Sequence, residues 1–128
     1  MPISRQNRFY LGEVHRGFYR YPEDAAREKY WIDTGKHQLN ETYAMKFEAE
    51  RPANLEAAIR YYRAAIERDP PYPKAFRRLG EIYDNVQRYQ QAVDYYNMYL
   101  DQSPEASDRT FVKFALDRLE KKINGDIQ

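Results

Sequence analysis

Apolar and small residues recur at helical spacing along this chain, and the pattern is clearest between residues 73 and 106. On the first helix predicted there, one face carries Phe76, Leu79, Gly80 and Tyr83, at i, i+3, i+4 and i+7. After a polar break at residues 85–88, Ala92, Tyr96 and Tyr99 form the equivalent face of a second helix. Because Gly80 and Ala92 are small, these helices can approach closely as a hairpin, which Pro104 ends.

The pattern repeats with a period of about 34 residues. One period before the clear hairpin, Ala58, Tyr62 and Pro70 stand in the places of Ala92, Tyr96 and Pro104. Two periods before it, Leu11-Gly12 matches Leu79-Gly80. Repetition at a fixed period is typical of a solenoid. We therefore expect three hairpins, at approximately residues 5–38, 39–72 and 73–106, within a single domain of residues 1–128.

The two ends of the chain fit the same plan. The first hairpin has a helix from about Ser4 to Gly17 and a second helix that opens at Pro22 and stops at Gly35. A last helix, at approximately residues 104–124, is expected to cap the array by covering its final apolar face. Its apolar stripe consists of Val112, Ala115, Leu116, Leu119 and Ile123.

The middle hairpin has a weak first helix and a strong second one. Asn54 is predicted to cap the second helix, with Pro52 in the loop before it. The first helix has two open registers, since either Lys46 or Ala44 can stand at the small position. In the second register, Tyr43 and Phe47 lie beside Ala44 in the core.

The hairpin of residues 73–106 resembles the tetratricopeptide repeat. That family has a large residue, Leu-Gly and Tyr on its first helix, and Ala, Phe or Tyr, and Ala on its second, followed by Pro. The matching residues are Phe76, Leu79-Gly80, Tyr83, Ala92, Tyr96 and Pro104, with Tyr99 replacing the second Ala. The resemblance implies an all-α, right-handed superhelical α-solenoid of three helix-turn-helix hairpins plus a C-terminal capping helix. It also implies a concave groove, lined by the first helices, that binds a protein or peptide.

Composition argues against several other functions. Lys and Arg total 21 against 20 Asp and Glu, so no excess of cations favours nucleic acid. The chain has no cysteine and no apolar run long enough for membrane insertion. His15 and His37 have no second ligand at metal spacing. Since no catalytic groups converge, we expect no enzyme, no metal and no cofactor.

The candidate binding residues are the first-helix positions that packing does not use. They are Phe9, Tyr10, Glu13, Tyr43, Phe47, Lys74, Arg77, Arg78 and Glu81. Such a groove is aromatic at one end and basic at the other, where Lys74 and Arg78 could receive an acidic group. The resemblance does not extend to the carboxylate clamp that binds chaperone tails, because Phe9, Glu13 and Ala44 replace its Lys and two Asn.

Self-association is the alternative function. A degenerate first repeat can expose apolar surface, and such a chain would form a homo-oligomer as a structural protein, for example in a bacterial envelope or assembly complex. The compartment is open: we expect the cytoplasm for the sequence as it stands, or the envelope if a leader or anchor has been removed.

Overall fold

In the computed structural model, residues 4–67 and 70–125 are described. These residues form seven helices and no strand, which confirms the predicted all-α class. The helices are α1 (Arg5–Arg20), α2 (Pro22–Thr34), α3 (Glu41–Ala49), α4 (Arg51–Ile66), α5 (Pro73–Asn85), α6 (Tyr89–Gln102) and α7 (Arg109–Ile123). The chain forms two compact units, which we name the middle unit (Tyr10–Tyr61) and the terminal unit (Met1–Phe9 with Tyr62–Gln128).

The terminal unit is built on α6, which packs against both α5 and α7. The predicted face of α5 is buried, including Phe76, Leu79, Gly80 and Tyr83. A Cβ atom added at Gly80 would lie 2.8 Å from Cδ1 of Tyr96, so the helices cross here at a distance that only glycine permits. On α7 the buried residues are Val112, Leu116 and Leu119, whereas Ile123 is exposed.

The first turns of α1 belong to the terminal unit. The Phe9 ring is buried, with its centroid 5.7 Å from that of Tyr62 and 4.7 Å from that of Tyr72. The guanidinium of Arg5 donates to the backbone oxygens of Pro70 at 3.2 Å and Pro71 at 2.9 Å. These contacts fasten the beginning of the chain to the segment that follows α4.

In the middle unit, α2 packs against α3. The Tyr30 and Tyr43 rings meet edge to face at 5.2 Å, and the Tyr43 hydroxyl donates to Asp33 at 2.7 Å. Phe47 is buried against Phe18, with ring centroids 5.5 Å apart. Because Lys46 is exposed while Ala44 is half-buried and Phe47 is buried, the burial pattern fits the register with Ala44 at the small position.

Several element boundaries differ from those that we expected. The helix α1 continues to Arg20, and α7 begins only at Arg109. The helix α4 begins at Arg51, so Pro52 lies in its first turn, where proline is tolerated, and not in a loop. Asn54 is therefore not a cap: it is buried within α4, and its Oδ1 lies 2.9 Å from Nδ1 of His15. The predicted stop at Gly35 is observed, with φ at 75°.

Candidate functional site

One face of α5 carries charged residues that pair with one another. Arg77 Nε lies 3.2 Å from Oε1 of Glu81, and Arg78 Nη1 donates to Oε2 of the same carboxylate at 3.0 Å. The three side chains are only partly exposed, at 19–30%. Arg77 and Arg78, two predicted cations of the groove, therefore share an ion pair with Glu81, a predicted anion of the same groove.

The same charged face of α5 reaches α7 and the segment before it. Arg77 Nη1 lies 2.9 Å from Oδ2 of Asp108, whose Oδ1 accepts a hydrogen bond of 2.8 Å from the Tyr99 hydroxyl. Farther along, Arg118 of α7 forms an ion pair with Asp84 of α5. Ion pairs with partly buried members are screened less than exposed ones, so they fix α5 and α7 side by side.

Two phenyl rings of α7 are exposed beside these ion pairs. Phe111 is 63% exposed and Phe114 is 72% exposed. Together with Ala115, Asp117, Arg118 and Lys121 they line a shallow cavity of about 360 Å³. The guanidinium carbon of Arg77 lies 5.9 Å from the centre of the Phe111 ring. We name the α5–α7 surface as Arg77, Arg78, Glu81, Asp84, Phe111, Phe114, Arg118 and Lys121.

Two tyrosines beneath the α5–α7 surface remain neutral well into alkaline pH. Burial, assisted by the negative charges of Glu81 and Asp84, raises the pKa of Tyr96. Burial and the hydrogen bond to Asp108 raise the pKa of Tyr99 to about 12. The carboxylates of this surface are thus held over an uncharged aromatic layer.

The structure brings only some of the predicted site residues together. Arg77, Arg78 and Glu81 are in mutual contact, and Lys74 is exposed at the beginning of the same helix. Phe9 lies in the core of the terminal unit against Tyr62 and Tyr72. Its ring is a packing element and is not presented to solvent.

The other predicted site residues lie in the middle unit. Tyr10 is 63% exposed, and Glu13 is half-buried. Tyr43 is half-buried and bonded to Asp33, while Phe47 is buried. We correct the expectation that Phe47 lines a groove, because its ring packs on Phe18.

The exposed phenyl rings of α7 were not among the predicted site residues, since we treated the last helix only as a cap. The available signal was their position: Phe111 and Phe114 do not fall on the stripe of Val112, Leu116 and Leu119. A helix that has a buried stripe and two further phenylalanines outside it has more apolar surface than packing requires.

The middle unit has a second cavity, of about 290 Å³, on the side of α2. It is lined by Arg27, Glu28, Trp31, His37 and Gln38. The Trp31 ring is 47% exposed and stacks on His37 with centroids 5.5 Å apart. An indole with one face supported and the other open is suited to bind another apolar group.

Within residues 4–67 and 70–125, no group of three or more metal-ligating side chains comes close enough together to hold an ion. No helix in that part of the chain is long and apolar enough to cross a bilayer.

The sequence matches the family model of the tetratricopeptide repeat at residues 53–72 and 74–105. The comparison with curated proteins and with solved structures gives no match. Repeats of this family imply an α-solenoid fold, generally mediate protein–protein interactions, and are typically non-catalytic. The resemblance to the tetratricopeptide repeat that the sequence suggested is thus confirmed for these two segments.

Proposed function

We propose that this protein is a non-catalytic scaffold whose α5–α7 surface binds a peptide or protein partner. The observation that carries the proposal is the pair of phenyl rings, 63% and 72% exposed, in a cavity beside partly buried ion pairs. Tetratricopeptide repeats generally mediate protein–protein interactions, which supports the binding of a protein or peptide. The cavity lined by α7 supports the α5–α7 surface as the place where that partner binds.

The phenyl rings supply the affinity in this proposal. Covering the exposed part of one ring with apolar surface is worth about 2 kcal/mol at about 25 cal/mol per Å². Aromatic side chains in a concave, water-excluding setting are the residues that most often dominate interface energy. Phe111 and Phe114 would therefore anchor a leucine-like or aromatic side chain of the partner.

The charged residues supply orientation more than affinity. Arg77 and Arg118 already have acidic neighbours in Asp108 and Asp84, so a partner's carboxylate would compete with existing ion pairs. Lys74 is exposed where α5 begins and is the position at which we place an acidic group of the partner. A partner with an apolar side chain for the phenyl rings and an acidic residue near Lys74 would fit both parts of the surface.

The test is selection of peptides from a displayed random library on the immobilised protein. We expect selected peptides to contain an apolar anchor and to lose at least about tenfold in affinity to Phe114→Ser, which removes about 1.4 kcal/mol or more. The matched control is Lys113→Ser, a neighbouring exposed position of the same helix. Melting temperatures of both variants should equal that of the original protein. Peptides that bind Phe114→Ser as well as Lys113→Ser would refute this location.

Self-association is a second candidate, and one observation favours it. The α5–α7 surface is not the only exposed apolar region: α2 presents Trp31 at 47% and Ile32 at 62% exposure. Two separate apolar patches on one small chain are what a repeated contact between copies requires.

A further inference from the structure

One arginine of the terminal unit is held in place by tyrosines and not by a carboxylate. Arg63, near the end of α4, donates from Nη2 to the hydroxyl of Tyr83 on α5 at 2.6 Å. The hydroxyl of Tyr95 on α6 is its second hydrogen-bond partner. The rings of Tyr83 and Tyr95 are stacked, with centroids 5.5 Å apart and planes 4° from parallel. We name Arg63, Tyr83 and Tyr95 the α4–α6 cluster.

No carboxylate of the described residues neutralises the charge of Arg63. Glu67, one turn farther along the chain, is exposed and forms no ion pair with it. The acids that neighbour the two tyrosines in sequence are engaged elsewhere: Asp84 pairs with Arg118, and Asp94 accepts a hydrogen bond on its own helix. The arginines of α5, in contrast, each contact a carboxylate.

The α4–α6 cluster has more hydrogen-bond donors than acceptors. A guanidinium carries several N–H groups, and a hydroxyl that accepts one hydrogen bond can still donate its own hydrogen. In the described part of the chain, no acceptor takes the hydroxyl hydrogens of Tyr83 or Tyr95. Tyr83 is 3% exposed, whereas Tyr95 is half-buried and Arg63 is exposed. A ligand can therefore reach these donors from solvent, and it would have to be rich in acceptors.

We propose that the α4–α6 cluster binds a phosphate monoester group. The uncompensated guanidinium attracts an anion, and Arg is the side chain best suited to hold phosphate oxygens. A phosphate group offers three strong acceptor oxygens in a tetrahedral arrangement, which suits N–H and O–H donors that come from three different helices. A planar carboxylate would be satisfied by the guanidinium alone and would leave the hydroxyls unused.

The tyrosines also prepare the arginine for binding. A free arginine side chain loses considerable rotamer freedom when it is ordered around a ligand. Here the hydrogen bonds to Tyr83 and Tyr95 already restrict the guanidinium, so less entropy remains to be lost on binding. None of these residues belongs to the α5–α7 surface, and this inference therefore goes beyond the proposed function.

The test is a titration with phenyl phosphate at constant ionic strength, followed by ¹H–¹⁵N NMR. We expect saturable shifts of the Arg63 side-chain N–H signal and of the backbone amides of Tyr83 and Tyr95. Arg63→Gln should weaken binding at least about tenfold, because it removes the charge and the N–H fork. Tyr95→Phe keeps the charge but removes one O–H donor, so it should weaken binding about threefold or more.

The controls separate this site from general charge effects and from misfolding. Arg109→Gln removes an exposed arginine of the same unit, outside the cluster, and should leave the affinity for phenyl phosphate unchanged. Phe114→Ser should also leave it unchanged, since that residue belongs to the α5–α7 surface. Circular dichroism of every variant should match that of the original protein.

Acetate and inorganic phosphate complete the set of probes. Acetate that binds as tightly as phenyl phosphate would overturn the assignment to phosphate. Inorganic phosphate separates the sources of the group: equal affinity supports a free phosphate as the ligand, and tighter phenyl phosphate supports a phosphorylated organic group.

The outcomes are independent of the proposed function. Loss of binding in Arg63→Gln and weakening in Tyr95→Phe, with both controls unchanged, support the phosphate site. No saturable shift, or equal binding by Arg63→Gln and the original protein, overturns it. Neither result alters the expectation that displayed peptides lose affinity to Phe114→Ser.

Discussion

Replacement of Gly80 by alanine tests the close crossing of α5 and α6 that holds the terminal unit together. The added Cβ would lie 2.8 Å from Cδ1, 2.9 Å from Cε1 and 3.0 Å from Cγ of Tyr96. Those three atoms belong to one rigid ring that is only 4% exposed. Since protein interiors are close-packed, the ring cannot move aside without displacing its other neighbours or separating the two helices.

Two effects of opposite sign determine the change in the free energy of unfolding. Alanine favours a helix over glycine by about 1 kcal/mol. Inserting a methyl group into a packed core usually costs about 1–3 kcal/mol. Because the Gly80 Cβ would come within 3.0 Å of three ring atoms at once, we expect the upper part of that range and a net destabilisation of about 1–2 kcal/mol.

Urea unfolding followed by circular dichroism measures this difference, and Gly17→Ala is the matched control. Gly17 is also a helical glycine, in α1, but a Cβ there would meet nothing within 4 Å. Gly17→Ala should therefore stabilise the protein by up to about 1 kcal/mol, through helix propensity alone. If Gly80→Ala also stabilised the protein, the close approach of α5 and α6 would be refuted.

Three further predictions concern single groups. Phe9→Ala should lower the free energy of unfolding by about 3 kcal/mol in the same urea assay, because it empties a buried ring site. The pKa of Tyr99 is raised to about 12 from about 10 in the unfolded chain, so the stability that this group contributes should be fully present below about pH 10 and be lost between about pH 10 and 12. Tyr99→Phe should flatten that fall in urea titrations at several pH values. Hydrogen bonds from Lys29 and Tyr43 lower the pKa of Asp33, so Tyr43→Phe should raise it, as an NMR titration of the carboxyl carbon would show.

The hairpin of α5 and α6 could be predicted from the sequence because the spacing of its apolar residues agrees with the packing of the two helices. The spacing of Phe76, Leu79 and Tyr83 specifies one helical face, and the structure buries that face. Glycine at position 80 indicated a close crossing, and a tyrosine ring lies in contact range of it. Gly35 likewise ends α2 because its positive φ suits glycine.

Boundaries and surface pairings were less predictable, since they depend on residues far apart in sequence. Asn54 has a side chain that favours a cap, yet it lies inside α4, where its oxygen contacts the His15 ring instead. The pairing of Arg77 with Asp108 joins α5 to the segment before α7, and no local pattern specifies it. For this reason the expected basic end of the groove is in fact a set of ion pairs.

The distribution of tyrosine and phenylalanine is a separate argument for a binding surface. The chain has 13 Tyr and 6 Phe, and tyrosine serves as a core residue: Tyr62 is 0% exposed and Tyr96 is 4% exposed. A tyrosine at a solvated position could keep its hydroxyl in water at little cost, whereas a phenyl ring gains nothing from water. The α7 helix nevertheless presents two of the six phenylalanines to solvent, at 63% and 72% exposure. Phenyl rings that lack a polar group and are this exposed on a polar chain are best explained by a partner that covers them.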